Sequence, residues 1–189
     1  MIVIKKINKE LAPGVVVIED AIDNSEQLIN LAMNRTDWQP STVFQQDGGE
    51  KVDLGARVAD VLNVETTFQH EVEWFHLAKS LWEYGNKYGE KYNAPFSGIE
   101  GAQMLKYQVG RGHYDTHTDS GPQAPRIFSA VLYLNDVEEG GETYFPVFDV
   151  SIKPEKNKLI LFPSNYIYKH CALPPSSNEK FCIVTWYIP

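Results

Sequence analysis

The chain of 189 residues is the length of one ordinary domain, and its 43% hydrophobic and 22% charged residues describe a globular protein rather than a disordered one. A formal net charge of −8 argues against a nucleic-acid binder, which needs a basic face to neutralise phosphates, and less strongly against docking on anionic lipid. Two cysteines, Cys171 and Cys182, are too few for a disulfide framework or a cysteine-built zinc site, and no stretch approaches the ~20 apolar residues of a membrane span.

The first residues, Met1-Ile-Val-Ile-Lys-Lys, offer no apolar stretch long enough for a signal peptide, the longest run nearby being Val15 to Ile18. A soluble, cytoplasmic chain is therefore expected. It should form a single domain over residues 1–189, with helical support over about 21–92 and strands over about 99–189. Asp23-Asn24-Ser25-Glu26 reads as a helix start, a short polar cap with acids in the first turn. Leu28, Leu31 and Ala32 recur at helical spacing behind it, and the helix should fade near Asn34 to Thr36. Between Gln39 and Asp60 a polar stretch centred on Gln45-Gln46-Asp47-Gly48-Gly49-Glu50 predicts a mobile loop. From Thr66 to about Tyr92, Phe68, Val72, Phe75, Leu81, Tyr84 and Tyr88 predict a helical stripe.

The second half reads as β structure. Leu105, Tyr107 and Val109 alternate with Lys106 and Gln108, the period of a half-buried strand. Ile127 to Leu134, Leu159 to Phe162 and Phe181 to Ile188 are apolar runs rich in branched and aromatic residues. Gly140-Gly141, Lys153-Pro154 and Pro174-Pro175-Ser176-Ser177-Asn178 punctuate them as turns. Helices first and strands afterwards predict an α+β chain, a double sheet or barrel with helices packed outside.

Residues 113–119 read His-Tyr-Asp-Thr-His-Thr-Asp, and on a regular strand His113, Asp115, His117 and Asp119 share one face. A His-x-Asp pair with one distant histidine offers two nitrogens and one oxygen to a metal, the facial triad of non-haem Fe(II) oxygenases. His170 is the only histidine after His117. Alternation alone does not choose between His113-x-Asp115 and His117-x-Asp119. His70-Glu71 opens like a zinc-protease helix, but the next histidine is His76, about 600° of rotation away, so the two imidazoles face apart. Gly110-Arg111-Gly112 lacks the third glycine of a dinucleotide loop, and no Ser or Cys sits in a nucleophile-elbow context. Lys180, Cys182, Val184 and Trp186 share one strand face, so the lysine either points inward, where a cation is rarely left unpaired, or lies at the strand's mouth and stays solvated.

The order of further residues is more specific. Tyr107-x-x-Gly110 leads to Tyr114-x-x-His117-x-Asp119, Arg126 and Tyr133-Leu134-Asn135. Gly140-Gly141-Glu142-Thr143-x-Phe145-Pro146, Lys153-Pro154, Phe162-Pro163, His170, Lys180 and Trp186 follow. This set resembles the catalytic domain of the prolyl 4-hydroxylase family, Fe(II)- and 2-oxoglutarate-dependent dioxygenases. The likeness runs from about Val15 and is densest from Tyr107 to Trp186. It implies a double-stranded β-helix (jelly roll) core. Because the family places a tyrosine three residues before the ligand histidine, Tyr114 selects His117, and the resemblance makes His117, Asp119 and His170 the catalytic iron ligands. One extra residue between Gly110 and Tyr114 departs from the common spacing.

The resemblance further implies that Lys180 pairs with the far carboxylate of 2-oxoglutarate, with Tyr107, Thr143 and Tyr133 as hydroxyl donors to that cosubstrate. Tyr114, Arg126, Trp186 and Arg57 match positions on the substrate side, although Val58-Ala59 after Arg57 departs from the usual pattern. The implied reaction is hydroxylation of an unactivated C–H bond with O2, procollagen-proline 4-dioxygenase-like, with ascorbate re-reducing the iron. The implied partner is a proline-containing peptide or protein. The alternatives are the same chemistry on a free amino acid or small metabolite, or a non-catalytic metal-binding jelly roll. Cys171 and Cys182 are read as packing residues.

Overall fold

Apolar runs without alternation belong to strands covered on both faces, and the longest runs of this chain become the centre of a sheet. The structure is a computed structural model and describes residues 4–7, 9–44 and 49–189. The chain opens with β1 (Lys9–Ala12), β2 (Val15–Ile18) and α1 (Ser25–Met33). Five short strands follow, β3 (Gln39–Pro40), β4 (Val43–Phe44), β5 (Glu50–Lys51), β6 (Arg57–Val58) and β7 (Asp60–Asn63). Helices α2 (Val64–Thr67) and α3 (Val72–Tyr92) lead into β8 (Gly98–Tyr107), β9 (His113–His117), β10 (Phe128–Tyr133) and β11 (Thr143–Phe145). The chain closes with β12 (Val150–Ile152), β13 (Leu159–Pro163), β14 (His170–Ala172) and β15 (Lys180–Ile188).

Among the described residues, β1-β2-β13-β10-β15-β8-β7-β3 form an eight-stranded sheet and β12-β11-β14-β9-β6 a five-stranded one. All the pairings are antiparallel, and the two sheets form the expected double-stranded β-helix core. One face of the larger sheet (Val16, Ala130, Leu132, Leu161, Ile183) packs on Leu28 of α1 and on Leu77, Leu81, Tyr84 and Tyr88 of α3. The other face (Val17, Leu105, Val131, Ile160, Cys182) meets Phe145 and Ile152 of the smaller sheet. At ~25 cal/mol per Å² of buried apolar surface, these two layers supply the main stabilisation.

Four expectations need correction. The first half is not only helical: β1 and β2 extend the larger sheet, because Val15–Ile18 is buried on both faces. Much of the stretch from Gln39 to Asp60 is short strand rather than loop; residues 45–48 of the predicted mobile segment lie outside the described residues. The long helical stripe is two helices, and Val72 and Phe75 are 57% and 60% exposed, since Leu77, Leu81, Tyr84 and Tyr88 set the inward phase. The strand predicted through Val109 stops at Tyr107, and Val109 sits exposed before Gly110, whose φ of +74° turns the chain. Among the described residues, no helix is long and apolar enough to cross a membrane.

Tyrosine hydroxyls fasten α3 to the sheet. Tyr84 donates to the Ala21 carbonyl at 3.0 Å and Tyr88 to the Gly14 carbonyl at 2.8 Å, while Tyr187 of β15 donates to the Leu81 carbonyl at 2.7 Å. The Tyr187 ring lies so close to the helix that a Cβ at Gly85 would sit 2.2 Å from its Cε1. Helix propensity favours alanine over glycine by ~1 kcal/mol, but overpacking a rigid core typically costs about 1–3 kcal/mol. Gly85→Ala should therefore lower the thermal midpoint; a raised midpoint would show that the ring moves aside freely.

Candidate active site

The inner faces of the two sheets enclose a cavity of about 330 Å³ lined from β8, β9, β14 and β15. A β-bulge decides what β9 shows to it. Tyr114 pairs with Ala172 and His117 with His170, so Asp115 and Thr116 together oppose the single residue Cys171. Alternation flips across the bulge, and Tyr114 and His117, three residues apart, both face the cavity with their rings stacked at 3.5 Å. The expected shared face of His113, Asp115, His117 and Asp119 is thereby corrected: His113 and Asp115 are absent from the cavity wall, and the Asp115 side chain is 67% exposed.

His117, Asp119 and His170 bring one donor atom each to within 4.8 Å of one another. His117 Nε2 lies 3.4 Å from Asp119 Oδ1, and His170 Nε2 lies 3.8 Å from Asp119 Oδ2. Each ring is oriented from behind. His117 Nδ1 meets the Asp115 carbonyl at 2.8 Å and His170 Nδ1 the Tyr168 carbonyl at 3.1 Å. A carbonyl only accepts, so Nδ1 carries the hydrogen on both rings and Nε2 keeps the lone pair that a metal needs. The Ser129 hydroxyl donates to Asp119 Oδ2 at 2.6 Å and is itself 2.7 Å from Ser164 Oγ. Burial pushes His170 down to about 4, against the pull of Asp119, so its imidazole is neutral. Burial would raise the Asp119 carboxyl, but His170, His117 and Ser129 outweigh it and hold the group below the usual carboxylate range. Two imidazoles and one carboxylate, pre-oriented on one side of an open cavity, suit a divalent ion such as Fe(II) and leave its other positions free.

Lys180 reaches into the same cavity from β15. It is 1% exposed, and its Nζ donates to the Gly141 carbonyl at 2.8 Å and lies 4.2 Å over the Tyr107 ring. No carboxylate comes within 4.0 Å of it among the described residues. Burial lowers its pKa, with Cys182 and Glu142 pulling the other way. A buried ammonium with three donors and one neutral acceptor is an anion site short of its anion.

Residues 102–188 match the family model of the 2OG-Fe(II) oxygenase superfamily. That stretch, just under half of the chain, is similar to the superfamily's catalytic domain. It is 34% identical over 120 residues to a probable prolyl 4-hydroxylase 9 of Arabidopsis thaliana, a match that covers 49% of this chain and 42% of the relative. The chain spans about half the length of the curated relatives it matches. Its fold is shared with a Trichoplax adhaerens prolyl hydroxylase solved with a hypoxia inducible factor peptide fragment. That likeness has a TM-score of 0.75 and 18% identity, and covers 93% of this chain and 83% of the other. It is shared too with the viral collagen prolyl hydroxylase of Paramecium Bursaria Chlorella virus-1 in its 2OG complex, with a TM-score of 0.64, 21% identity and cover of 93% and 96%.

The remaining residues singled out in the sequence divide by position. Tyr107 and Thr143 line the cavity. Tyr133 is not on the cavity wall; it stands behind Thr143 and donates to its Oγ1 at 2.6 Å, which makes it a positioning residue rather than a direct contact. Arg126 and Trp186 form a side wall, the guanidinium stacked 3.6 Å over the indole, donating from Nη1 to the Asp119 carbonyl at 3.2 Å and ion-paired with Glu100. Arg57 also lines the cavity and packs 4.6 Å over the Tyr114 ring. His70 and His76 are exposed and do not line this cavity.

Sequence reasoning missed Glu100, Gln103 and Ser129. Val184 pairs with Gln103 and Trp186 with Glu100, so Gly101 and Ala102 bulge opposite Thr185, and the bulge turns both polar residues into the cavity. Thr185 Oγ1 donates to the Glu100 carbonyl at 2.6 Å and so satisfies the disrupted ladder. The available signal was Gly101, a glycine inside a strand. Ser129, polar and buried within an otherwise apolar strand, was the signal for the carboxylate's support.

Proposed function

We propose that this protein is an Fe(II)- and 2-oxoglutarate-dependent dioxygenase that hydroxylates a prolyl residue in a peptide or protein, working as a single catalytic domain. The observation that carries the reading is Lys180, an unpaired buried ammonium opening onto the cavity that holds His117, Asp119 and His170. A metal triad alone suits many reactions; a triad with a buried cation in reach suits a cosubstrate bearing a carboxylate at its far end. Fe(II), when bound, supplies the redox chemistry that couples oxidative decarboxylation of 2-oxoglutarate by O2 to insertion of oxygen into a C–H bond.

The chain's own residues set the conditions for it. His117 and His170 present Nε2 because the Asp115 and Tyr168 carbonyls hold Nδ1–H, and Ser129 fixes the second oxygen of Asp119. Lys180 anchors the far carboxylate, and Tyr107 and Thr143 donate hydroxyls beside it. The floor of Leu105, Val131, Cys182 and Val184 excludes water, so the charges act in a low-dielectric site. Arg126, clamped by Glu100 and Trp186, ties the substrate wall to the Asp119 backbone, so the peptide and metal subsites share one rigid frame. Ascorbate serves as reductant when turnover stalls. The cytoplasmic setting rests on two free cysteines, which fit a reducing compartment.

The test is incubation with Fe(II), 2-oxoglutarate and ascorbate against a library of proline-containing peptides. The expected result is a gain of one oxygen on proline with one succinate formed per hydroxylation. Hydroxylation confined to free amino acids or small metabolites would contradict the peptide substrate and keep the chemistry. Iron binding without succinate formation would leave a metal-binding jelly roll.

A further inference from the structure

Two cations on the cavity wall lack a carboxylate within 4.0 Å among the described residues, Lys180 and Arg57. Arg126, the third, is neutralised by Glu100. Arg57 is partly buried and carries one idle donor. Its Nη1 donates to the Thr42 carbonyl at 3.2 Å, while its Nε is buried with no hydrogen-bond partner. A buried guanidinium donor left idle is costly and rare, and it marks a place where a ligand atom belongs.

The surroundings of Arg57 say which ligand. It enters on β6, whose pairing with β9 sets Arg57 opposite Tyr114. His117 fills one face of the Tyr114 ring at 3.5 Å, so the guanidinium at 4.6 Å takes the other, and an arginine–tyrosine–histidine stack runs to the metal cluster. Arg57 also borders the Tyr107 hydroxyl, where it opposes the upward pull of burial on that group. Tyr107 carries the Lys180 ammonium over its ring. Lys180, Tyr107 and Arg57 therefore form one wall, with Lys180 at one end and Arg57 leading through Tyr114 to His117. Of the lining carboxylates, Asp119 belongs to the metal cluster, Glu100 pairs with Arg126, and Glu50 is solvent-exposed and occupied by the Thr42 hydroxyl at 2.6 Å.

Two unpaired cations on one wall match a dianion. We infer that Arg57 belongs to the keto-acid subsite, contacting the carboxylate of 2-oxoglutarate nearer the metal while Lys180 takes the far one, rather than contacting the peptide. The inference rests on the proposed function and deepens it. A charge-assisted fork of this kind contributes about 1.5–3 kcal/mol, which converts to roughly 10- to 100-fold in affinity.

The experiment is anaerobic calorimetry of keto-acid binding with Mn(II), which needs no turnover and no peptide. Arg57→Gln should weaken 2-oxoglutarate by roughly 10- to 100-fold. It should also weaken 2-oxobutyrate, which lacks the far carboxylate, whereas Lys180→Ala should weaken 2-oxoglutarate alone. Arg57→Lys keeps the cation should the glutamine variant fail to fold, and without the fork it still weakens 2-oxoglutarate several-fold. Unchanged 2-oxoglutarate affinity in either folded variant overturns the inference and returns Arg57 to the peptide. A parent protein that binds Mn(II) but no 2-oxoglutarate overturns the proposed function itself.

Discussion

His117→Ala should bind Fe(II) more than about 100-fold more weakly than the parent and lose turnover, while folding as the parent does. Removing supporting groups around a metal ligand already costs 10- to 100-fold, and removing the ligand leaves only Asp119 and His170. The fold survives because His117 is only partly buried on β9 and the sheets are held by apolar layers on both sides of β10, β13 and β15. His170→Ala should abolish iron binding equally but destabilise more, on the order of 1–3 kcal/mol, because that ring packs 4.7 Å from Phe162 and 5.5 Å from Phe145 and leaves a cavity. Metal titration and thermal melts separate the two effects. Full activity in either variant rejects the triad.

Lys180→Ala should weaken 2-oxoglutarate by about 2–5 kcal/mol, the penalty for leaving one charge of a desolvated pair alone. The same residue has an opposite effect on the free protein. Burial lowers its folded-state pKa below the unfolded value, so the folded chain binds fewer protons. That destabilisation is complete below the folded pKa and is relieved only as pH rises toward the unfolded value. At neutral pH, Lys180→Met, which fills the same space without charge, should raise the thermal midpoint of the ligand-free protein while abolishing cosubstrate binding. Retained 2-oxoglutarate affinity in both variants would place the anchor elsewhere; a lowered midpoint in Lys180→Met would show that the ammonium is better solvated than its 1% exposure implies.

What could be read from the sequence follows from which forces act locally. β10, β13 and β15 announce themselves because strands buried on both faces are continuously apolar. β2 obeys the same rule, yet four residues, Val15–Ile18, are too few to distinguish a strand from any short apolar run. The inward face of Lys180, Cys182, Val184 and Trp186 was legible because β15 is regular where they stand. The face of β9 was not, nor that of β8 ahead of Gln103, because each carries a bulge, whereas Leu105 and Tyr107 on the regular part of β8 face the cavity as alternation predicts. Strict alternation puts His113 and Asp115 beside His117, whereas the extra residue in β9 turns them away and brings Tyr114 in. The extra residue in β8 does the same for Glu100, and with it the partner of Arg126. Bulges are set by cross-strand pairing, of which a strand's own sequence records only a trace such as Gly101, and here they decide which side chains reach the cavity.

One cavity holds both the cluster of His117, Asp119 and His170 and the buried ammonium of Lys180. The direct test is anaerobic titration of the metal-free protein with Fe(II) and 2-oxoglutarate, following the visible charge-transfer band of the chelate. The band needs iron and a bidentate keto acid together, and no peptide. It should appear in the parent protein and be absent from His117→Ala. Iron binding with no band would contradict the oxygenase assignment of this site, and no iron binding would leave a resemblance of fold alone.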